Sequence, residues 1–302
     1  MTGAGTVLIA GPTASGKSAL ALALARRLGG VVVNADSRQV LSCWRVLTAR
    51  PSPAEAAAAP HRLYGHVGPE RRHSVGDWLA EAVAALAEAR VAGRPAIVVG
   101  GTGLYFRALT RGLAEVPPIP PEVRAAAEAR LAALGREGLA RELAARDPET
   151  AAGLDLANPR RVLRAWEVLE AAGRGLARWQ AETPPPAVPL AGARAMVLEI
   201  ERETLFARCD ARFDAMLAEG ALEEAEAVAG LGLAPGAPGL TPVGAAELVA
   251  HVRGEMPLAE AAARAKAATR AYAKRQQTWF ANQMAGWPRL PAGSGPEAAL
   301  AL

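Results

Sequence analysis

The chain has 302 residues, is 51% hydrophobic and 21% charged, and carries a formal net charge of +4 with only two cysteines. That length is enough for two domains with buried cores, which excludes a small disulfide-stapled scaffold, and Cys43 and Cys209 lie too far apart in sequence to suggest a disulfide framework or a metal-ligand spacing. No apolar run approaches the roughly 18 residues of a membrane span, and the short run from Thr6 to Ala10 has no charged leader before it, so the expected setting is a reducing cytoplasm with no membrane partner.

In chain order, Thr6 to Ala10 predicts a strand, Gly11 to Ser18 a glycine loop, Ser18 to Leu28 an Ala/Leu helix and Val31 to Val33 a second strand. Ser74 and Asp77 make a capping-box-like start to a helix reaching about Arg90, ahead of a buried strand from Ala96 to Gly100. This alternation implies an α/β fold with a doubly wound parallel sheet. Two proline-rich stretches, Pro117 to Pro121 and Pro184 to Pro189, then bracket a segment that reads as nearly all helix. They predict hinges around an inserted all-helical domain over residues 116–195. Its clearest helix takes Asn158 as N-cap and Pro159 in the first turn, and stops near Gly173. Met196 to Ile200 predicts a strand that returns the chain to the first domain, which is therefore discontinuous, 1–115 and 196–302. Helices over 202–219 and 257–280 complete it, and the tail after Pro291 reads as loose.

The segment Gly11-Pro12-Thr13-Ala14-Ser15-Gly16-Lys17-Ser18 fits the phosphate-binding loop pattern and lies between a predicted strand and a predicted helix. Glycines let backbone N–H groups converge on phosphate oxygens, the helix start adds partial positive charge, Lys17 adds a full charge, and Ser18 offers a hydroxyl to Mg²⁺. Asp36 lies just past the second strand, at the sheet edge where such folds hold ligands. A carboxylate there can hold a metal through water, cap a helix or accept a proton from a nucleophile. Gly100-Gly101-Thr102-Gly103 repeats the glycine logic after a later strand, with Thr102 able to donate to a leaving-group oxygen.

Cations gather in two places. Arg160, Arg161 and Arg164 fall at helical spacing near a helix start, where a solvated face is the plain alternative to an anion site. Between Arg264 and Arg289 there are six cations and no acid, and Lys266, Arg270 and Lys274 recur every four residues beside Arg275, Tyr272, Gln276, Gln277 and Trp279. Such a stripe suits nucleic-acid phosphates with stacking and amide contacts, or a phosphate ligand in the catalytic domain. The four histidines, His61, His66, His73 and His251, show no ligand spacing, and Trp166, Trp179 and Trp279 read as packing residues.

Taken together, GPTASGKS (11–18), NADSRQV (34–40), TARP (48–51), PHRL (60–63), SVGDW (74–78), VGGTGLYFRAL (99–109), DPETAAGLDLANPRRVLRAWEV (147–168), RFDAML (212–217), VGAAEL (243–248) and ATRAYAKRQQTWF (268–280) resemble the bacterial tRNA dimethylallyltransferases in order and spacing. The resemblance implies Mg²⁺-dependent transfer of a dimethylallyl group from its diphosphate to N6 of the adenosine immediately 3′ of a tRNA anticodon, by a monomer. It implies that the loop 11–18 cradles the diphosphate with Lys17 and Arg212, that Asp36 is the general base, and that Thr102 donates to the departing oxygen. It also implies that Asp36, Ser37, Arg38, Gln39, Thr102, Arg124, Arg160, Arg161, Val162, Leu163 and Arg164 line the surface for the anticodon stem-loop, to which the charge pattern adds Arg270, Lys274 and Arg275. The chain departs from the family at Leu41 for Tyr, Arg45-Val46-Leu47 for Asp-Ile-Gly, Gly65 for Asp, and Ala245-Ala246 for Tyr-Lys. The rival readings are a P-loop small-molecule kinase and a non-catalytic RNA-binding descendant of the enzyme.

Overall fold

The computed structural model describes residues 5–302. Short aliphatic runs supply six strands: β1 (Thr6–Ala10), β2 (Val31–Asn34), β3 (His61–Arg62), β4 (Ala96–Gly100), β5 (Ala193–Glu199) and β6 (Arg289–Pro291). They form one sheet in the order β3-β2-β4-β1-β5-β6, parallel at every pairing. β2 and β4 are buried along their whole length because helices cover both faces, as parallel sheets require. The register pairs Ala10 with Gly100 and Asn34 with Val99, so the carboxyl ends of β1, β2 and β4 open onto one edge.

Helix α1 (Lys17–Leu28) lays Leu20, Ala21, Leu24 and Ala25 on one sheet face against Val7, Ile9, Ile97 and Val99. After the short α2 (Pro53–Ala58), α3 (Val75–Val91) starts at a complete Ser74/Asp77 capping box and packs Trp78, Ala82, Ala85 and Ala89 on the opposite face. Trp78 stacks on Tyr105 of α4 (Gly103–Arg111) at 4.2 Å, and its Nε1 donates to the Asn34 carbonyl at 2.8 Å.

Residues Arg111–Pro186 form a separate compact unit. It contains α5 (Pro121–Arg146), broken where Gly135 adopts φ 67°, then α6 (Pro148–Ala152), α7 (Pro159–Ala172) and α8 (Leu176–Ala181). Its core is Ala127, Leu139, Leu143, Val162, Ala165 and Trp166. The Asn158 side chain accepts from the N–H groups of Arg160 and Arg161, and Gly173 ends α7 with φ 61°. The unit begins and ends earlier than the 116–195 expected from the prolines. Val188 donates its N–H to Leu109 and is buried in the sheet core, and β5 already starts at Ala193, so the chain has rejoined the first unit before 195.

The first unit, through Thr110 and again from Ala187, is completed by α9 (Arg202–Ala218), α10 (Ala221–Gly230), α11 (Ala245–Val252), α12 (Leu258–Gln283) and α13 (Pro296–Ala301). Trp44, Val46 and Leu47 pack with Phe213, Ala221, Ala225, Leu248 and Ala265, so the loop after β2 is fastened under these helices. The tail is not loose. Ala299 is fully buried against the α1 face, and Glu297 pairs with Arg27.

Candidate active site

The loop after β1 turns through Ala14 (φ 60°) and Gly16 (φ 89°), left-handed positions that swing backbone N–H groups toward one concavity at the start of α1. Within it, the Ser15 hydroxyl is buried without a hydrogen-bond partner among the described residues. Lys17 is buried and, among the described residues, its Nζ donates only to the Pro12 carbonyl, at 3.1 Å. Burial pushes this ammonium down to about 8; the charge of Asp36 opposes the shift and that of Arg212 adds to it. A buried hydroxyl and a buried ammonium with so few partners fit an anionic ligand rich in oxygen acceptors.

Asp36 is held by a short network from β2. The buried Asn34 donates to the carbonyls of Asp36 and Leu63, both at 2.9 Å, and accepts from the Asp36 N–H at 2.8 Å. The Arg38 N–H donates to Asp36 Oδ1 at 2.9 Å, while Oδ2 makes no hydrogen bond among the described residues. Thr102 is sewn to the same loop: its Oγ1 accepts from the Ser37 N–H at 2.9 Å and donates to Ser37 Oγ at 3.2 Å. Gln39 donates to the carbonyls of Thr48 and Ala49, both at 2.8 Å, and Arg38 donates to Thr241 Oγ1.

Two cavities meet here. One of about 320 Å³ is lined by Gly16, Lys17, Ser18, Arg45, Arg50 and Arg212, with Glu55 and Glu219 at its walls. A narrower one of about 70 Å³ is lined by Asp36, Thr13 and Arg38 and by apolar groups of Leu47, Phe213, Met216, Pro242 and Val243. Arg212 and Met216 belong to both. Burial lowers the pKa of Arg212, against the pull of Asp36, and raises that of Tyr272 at the second cavity, where the Asp36 charge raises it further. The site is therefore cationic at one end, apolar at the other, and has a carboxylate oxygen at the apolar end.

Of the loop 11–18, Gly16, Lys17, Ser18 and Ala14 line the larger cavity and Thr13 the smaller. Thr102 lines neither. Its glycine neighbours serve the protein instead of a ligand: a Cβ on Gly100 would meet Ala35 O at 2.0 Å, one on Gly101 Gln276 Nε2 at 2.3 Å, and one on Gly103 the Trp279 ring at 2.1 Å. Sequence reading missed Gln276 as a site builder. It is buried, accepts from the Thr13 N–H at 2.9 Å and donates to the Gly101 carbonyl at 2.8 Å, joining the phosphate loop to the loop after β4. A buried amide in a cationic helix gives no local sign of such a role.

The stripe on α12 needs correction. Lys266 pairs with Asp214 at 2.6 Å and Arg270 with Asp210 at 2.6 Å, both carboxylates on α9, so these two cations face protein. Lys274 and Arg275 are exposed, with Arg275 over the Tyr272 ring. In the helical unit Val162 is core, 1% exposed, and presents no side chain to a ligand, while Leu163 is partly buried against that core. Arg160 and Arg161 are exposed and make no ion pair among the described residues, Arg164 pairs with Glu167 at 3.5 Å, and Arg124 is half-buried. Among the histidines, His66 and His73 converge on Glu81.

Residues 39–283 match the family model described as IPP transferase. The chain belongs to this family. It is 61% identical over 287 residues to a tRNA dimethylallyltransferase of Cereibacter sphaeroides, covering 94% of this chain and 89% of that one. Its fold is similar to the tRNA isopentenylpyrophosphate transferase of Bacillus halodurans, at 30% identity and a TM-score of 0.69 over 99% of this chain and 94% of that one. It is also similar to a eukaryotic dimethylallyltransferase crystallised acting on tRNA, at 25% identity and a TM-score of 0.80 over 95% of this chain and 74% of that one. The parallel sheet with its glycine loop is thus the P-loop fold of the tRNA prenyltransferases, and the chain is a transferase. Among the described residues no helix is long and apolar enough to cross a membrane.

Proposed function

We propose that this protein modifies tRNA by moving a dimethylallyl group from dimethylallyl diphosphate to N6 of the adenosine immediately 3′ of the anticodon, with release of diphosphate. The observation that carries this reading is the junction at Arg212 and Met216 of a cationic phosphate-loop cavity with an apolar cavity that holds Asp36.

In this reading the N–H groups of residues 13–18, Lys17 and Arg212 bind the diphosphate, and the isoprenoid lies along Leu47, Phe213, Met216 and Val243. As the C1–O bond of the donor breaks, the charge that develops on the leaving oxygens falls beside Lys17 and Arg212, where a dry cationic site stabilises it most. The N6–C1 bond forms at the other end, and the proton lost from N6 passes to Asp36 Oδ2, the carboxylate oxygen that accepts no hydrogen bond among the described residues. Loss of that proton matters because the N6 lone pair is delocalised into the ring, leaving a weak nucleophile. Thr102 donates to the departing oxygen by turning its hydroxyl away from Ser37. Ser18, exposed in the first turn of α1 at the cavity wall, is the residue to hold Mg²⁺ together with diphosphate oxygens, an all-oxygen donor set of the kind that ion prefers. When bound, the ion neutralises diphosphate charge.

The target base has to leave its stack in the anticodon loop to reach Asp36, a smaller cost than in a duplex. Arg124, Arg160 and Arg161 of the helical unit contact the phosphates of the stem. The enzyme acts in the cytoplasm as a monomer. Incubation with labelled dimethylallyl diphosphate, Mg²⁺ and unmodified tRNA tests the reading: label is expected in the tRNA. Stoichiometric ADP with a phosphorylated small molecule, given ATP, would favour the kinase, and tRNA binding without label transfer would favour a non-catalytic binder.

A further inference from the structure

His66, His73 and Glu81 line neither cavity of the transfer site, yet three separate stretches bring them together: the segment after β3, the turn before α3, and α3 itself. Both imidazole Nε2 atoms hydrogen-bond one oxygen, Glu81 Oε2, at 2.8 Å from His66 and 3.0 Å from His73. The rings meet edge to face with centroids 5.6 Å apart, and the ligand atoms of all three residues lie within 4.8 Å of one another. Zinc bonds of about 2.0 to 2.1 Å at tetrahedral angles place neighbouring ligand atoms about 3.3 Å apart, so around an ion the two Nε2–Oε2 distances open by a few tenths of an ångström and the widest pair, within 4.8 Å, closes by up to about 1.5 Å through side-chain rotation.

A second observation comes from His73. Its side chain is 3% exposed, and its Nδ1 has no hydrogen-bond partner among the described residues. Without a cation, both rings carry hydrogen on Nε2 to share the one carboxylate oxygen, and Nδ1 of the buried ring is left as an acceptor with no donor among the described residues.

We propose that His66, His73 and Glu81 bind a divalent transition-metal ion of the zinc class, through the two Nε2 atoms and Oε2. Two imidazoles and a carboxylate are a three-ligand zinc donor set, and the partial exposure of His66 and Glu81 leaves the fourth position to water. Mg²⁺, which seeks oxygen ligands only, does not compete for it. The ion joins α3 to the segment whose Gly65 and Val67 N–H groups donate to the carbonyls of Gln39 and Val40, both at 2.9 Å. It thereby braces the back of the loop that carries Asp36 without touching the reacting groups.

The test is equilibrium dialysis of the untagged full-length protein against Zn²⁺ in millimolar Mg²⁺, with metal read by mass spectrometry and thermal melting in parallel. The expected result is one Zn²⁺ per chain and a rise of several degrees in melting temperature at saturating metal. His66→Gln and Glu81→Gln should each weaken binding by roughly a hundredfold and abolish the rise, while His61→Gln, outside the cluster, should change neither. His66 and Glu81 are partly exposed, so both variants are expected to fold, which their melting without metal will show. No bound zinc, or the same affinity in wild type, His66→Gln and Glu81→Gln, would overturn the proposal.

Discussion

Lys17 offers the sharpest test of the donor site, because the same burial that prepares it for phosphate costs the empty protein stability. Its pKa falls from 10.5 to about 8, chiefly through burial. At 1.36 kcal/mol per pH unit, that fall is a penalty of about 3 kcal/mol for keeping the ammonium charged in the fold. Lys17→Met removes the charge and keeps much of the chain volume, but gives up the bond to the Pro12 carbonyl, worth about 1 kcal/mol. The variant without ligand should therefore be more stable than wild type by about 2 kcal/mol at pH 7. The sign with pH is fixed. Below pH 8 the lysine is charged in both states and wild type carries the whole penalty. As pH rises from 8 towards 10.5 the unfolded chain holds more protons than the folded one, so wild type gains stability and the gap to Lys17→Met closes. Thermal or urea unfolding between pH 7 and 10 measures this directly. Titration with inorganic diphosphate should meanwhile show near-complete loss of binding in the variant. If Lys17→Met proves no more stable than wild type at pH 7, or if the gap stays constant up to pH 10, the assignment of Lys17 as a strained, ligand-seeking cation is wrong.

Asp36→Ala should lower the single-turnover transfer rate by about 10²- to 10⁴-fold while diphosphate affinity stays within a few-fold of wild type, and near-normal transfer would remove Asp36 as the base. Thr102→Ala is expected to cost on the order of 10²-fold in the same single-turnover step; an effect confined to tRNA affinity would leave Thr102 only its hold on Ser37. Gly65 adopts φ 60°, and a Cβ there would lie 1.2 Å from Arg50 Nη1 at the cavity wall, so Gly65→Ala should destabilise by about 1 to 2 kcal/mol and weaken diphosphate binding as Arg50 is displaced, read by urea unfolding and calorimetry. Arg160→Ala with Arg161→Ala should weaken tRNA binding similarly for different substrate tRNAs and flatten its salt dependence by roughly one unit of slope per lost phosphate contact, with donor binding unchanged; an unaltered slope would make these arginines an ordinary solvated face.

The parts of the fold that the sequence announces are those whose causes are local. Five-residue aliphatic runs next to glycine turns give β1 and β4, the Ser74/Asp77 box gives the start of α3, and Asn158-Pro159 with Gly173 fixes both ends of α7. What stays hidden depends on partners distant in the chain. β3 has two residues and β6 three, too short for any periodicity, and exist because β2 and β5 offer them a free edge. The tail reads as loose because its helix is six residues long, yet Ala299 is buried where α1 leaves room for a small side chain.

The misread charges of α12 follow the same logic and sharpen the functional picture. A run of cations without acids looks like a ligand surface only while its neighbours are unknown, and the carboxylates that neutralise Lys266 and Arg270 lie 52 and 60 residues earlier, on α9. Those pairs, half exposed, are of little weight for stability. They do set how α12 sits against α9, which carries Arg212, Phe213 and Met216, while α12 itself delivers Gln276 to the N–H of Thr13 and the carbonyl of Gly101. The floor of the site, at the ends of β1, β2 and β4, is therefore legible from motifs. Its wall is built by the register of two helices whose contact no motif records. A substitution at Asp210 or Asp214 would on this view disturb the phosphate loop and the apolar cavity together, although neither residue lines either one.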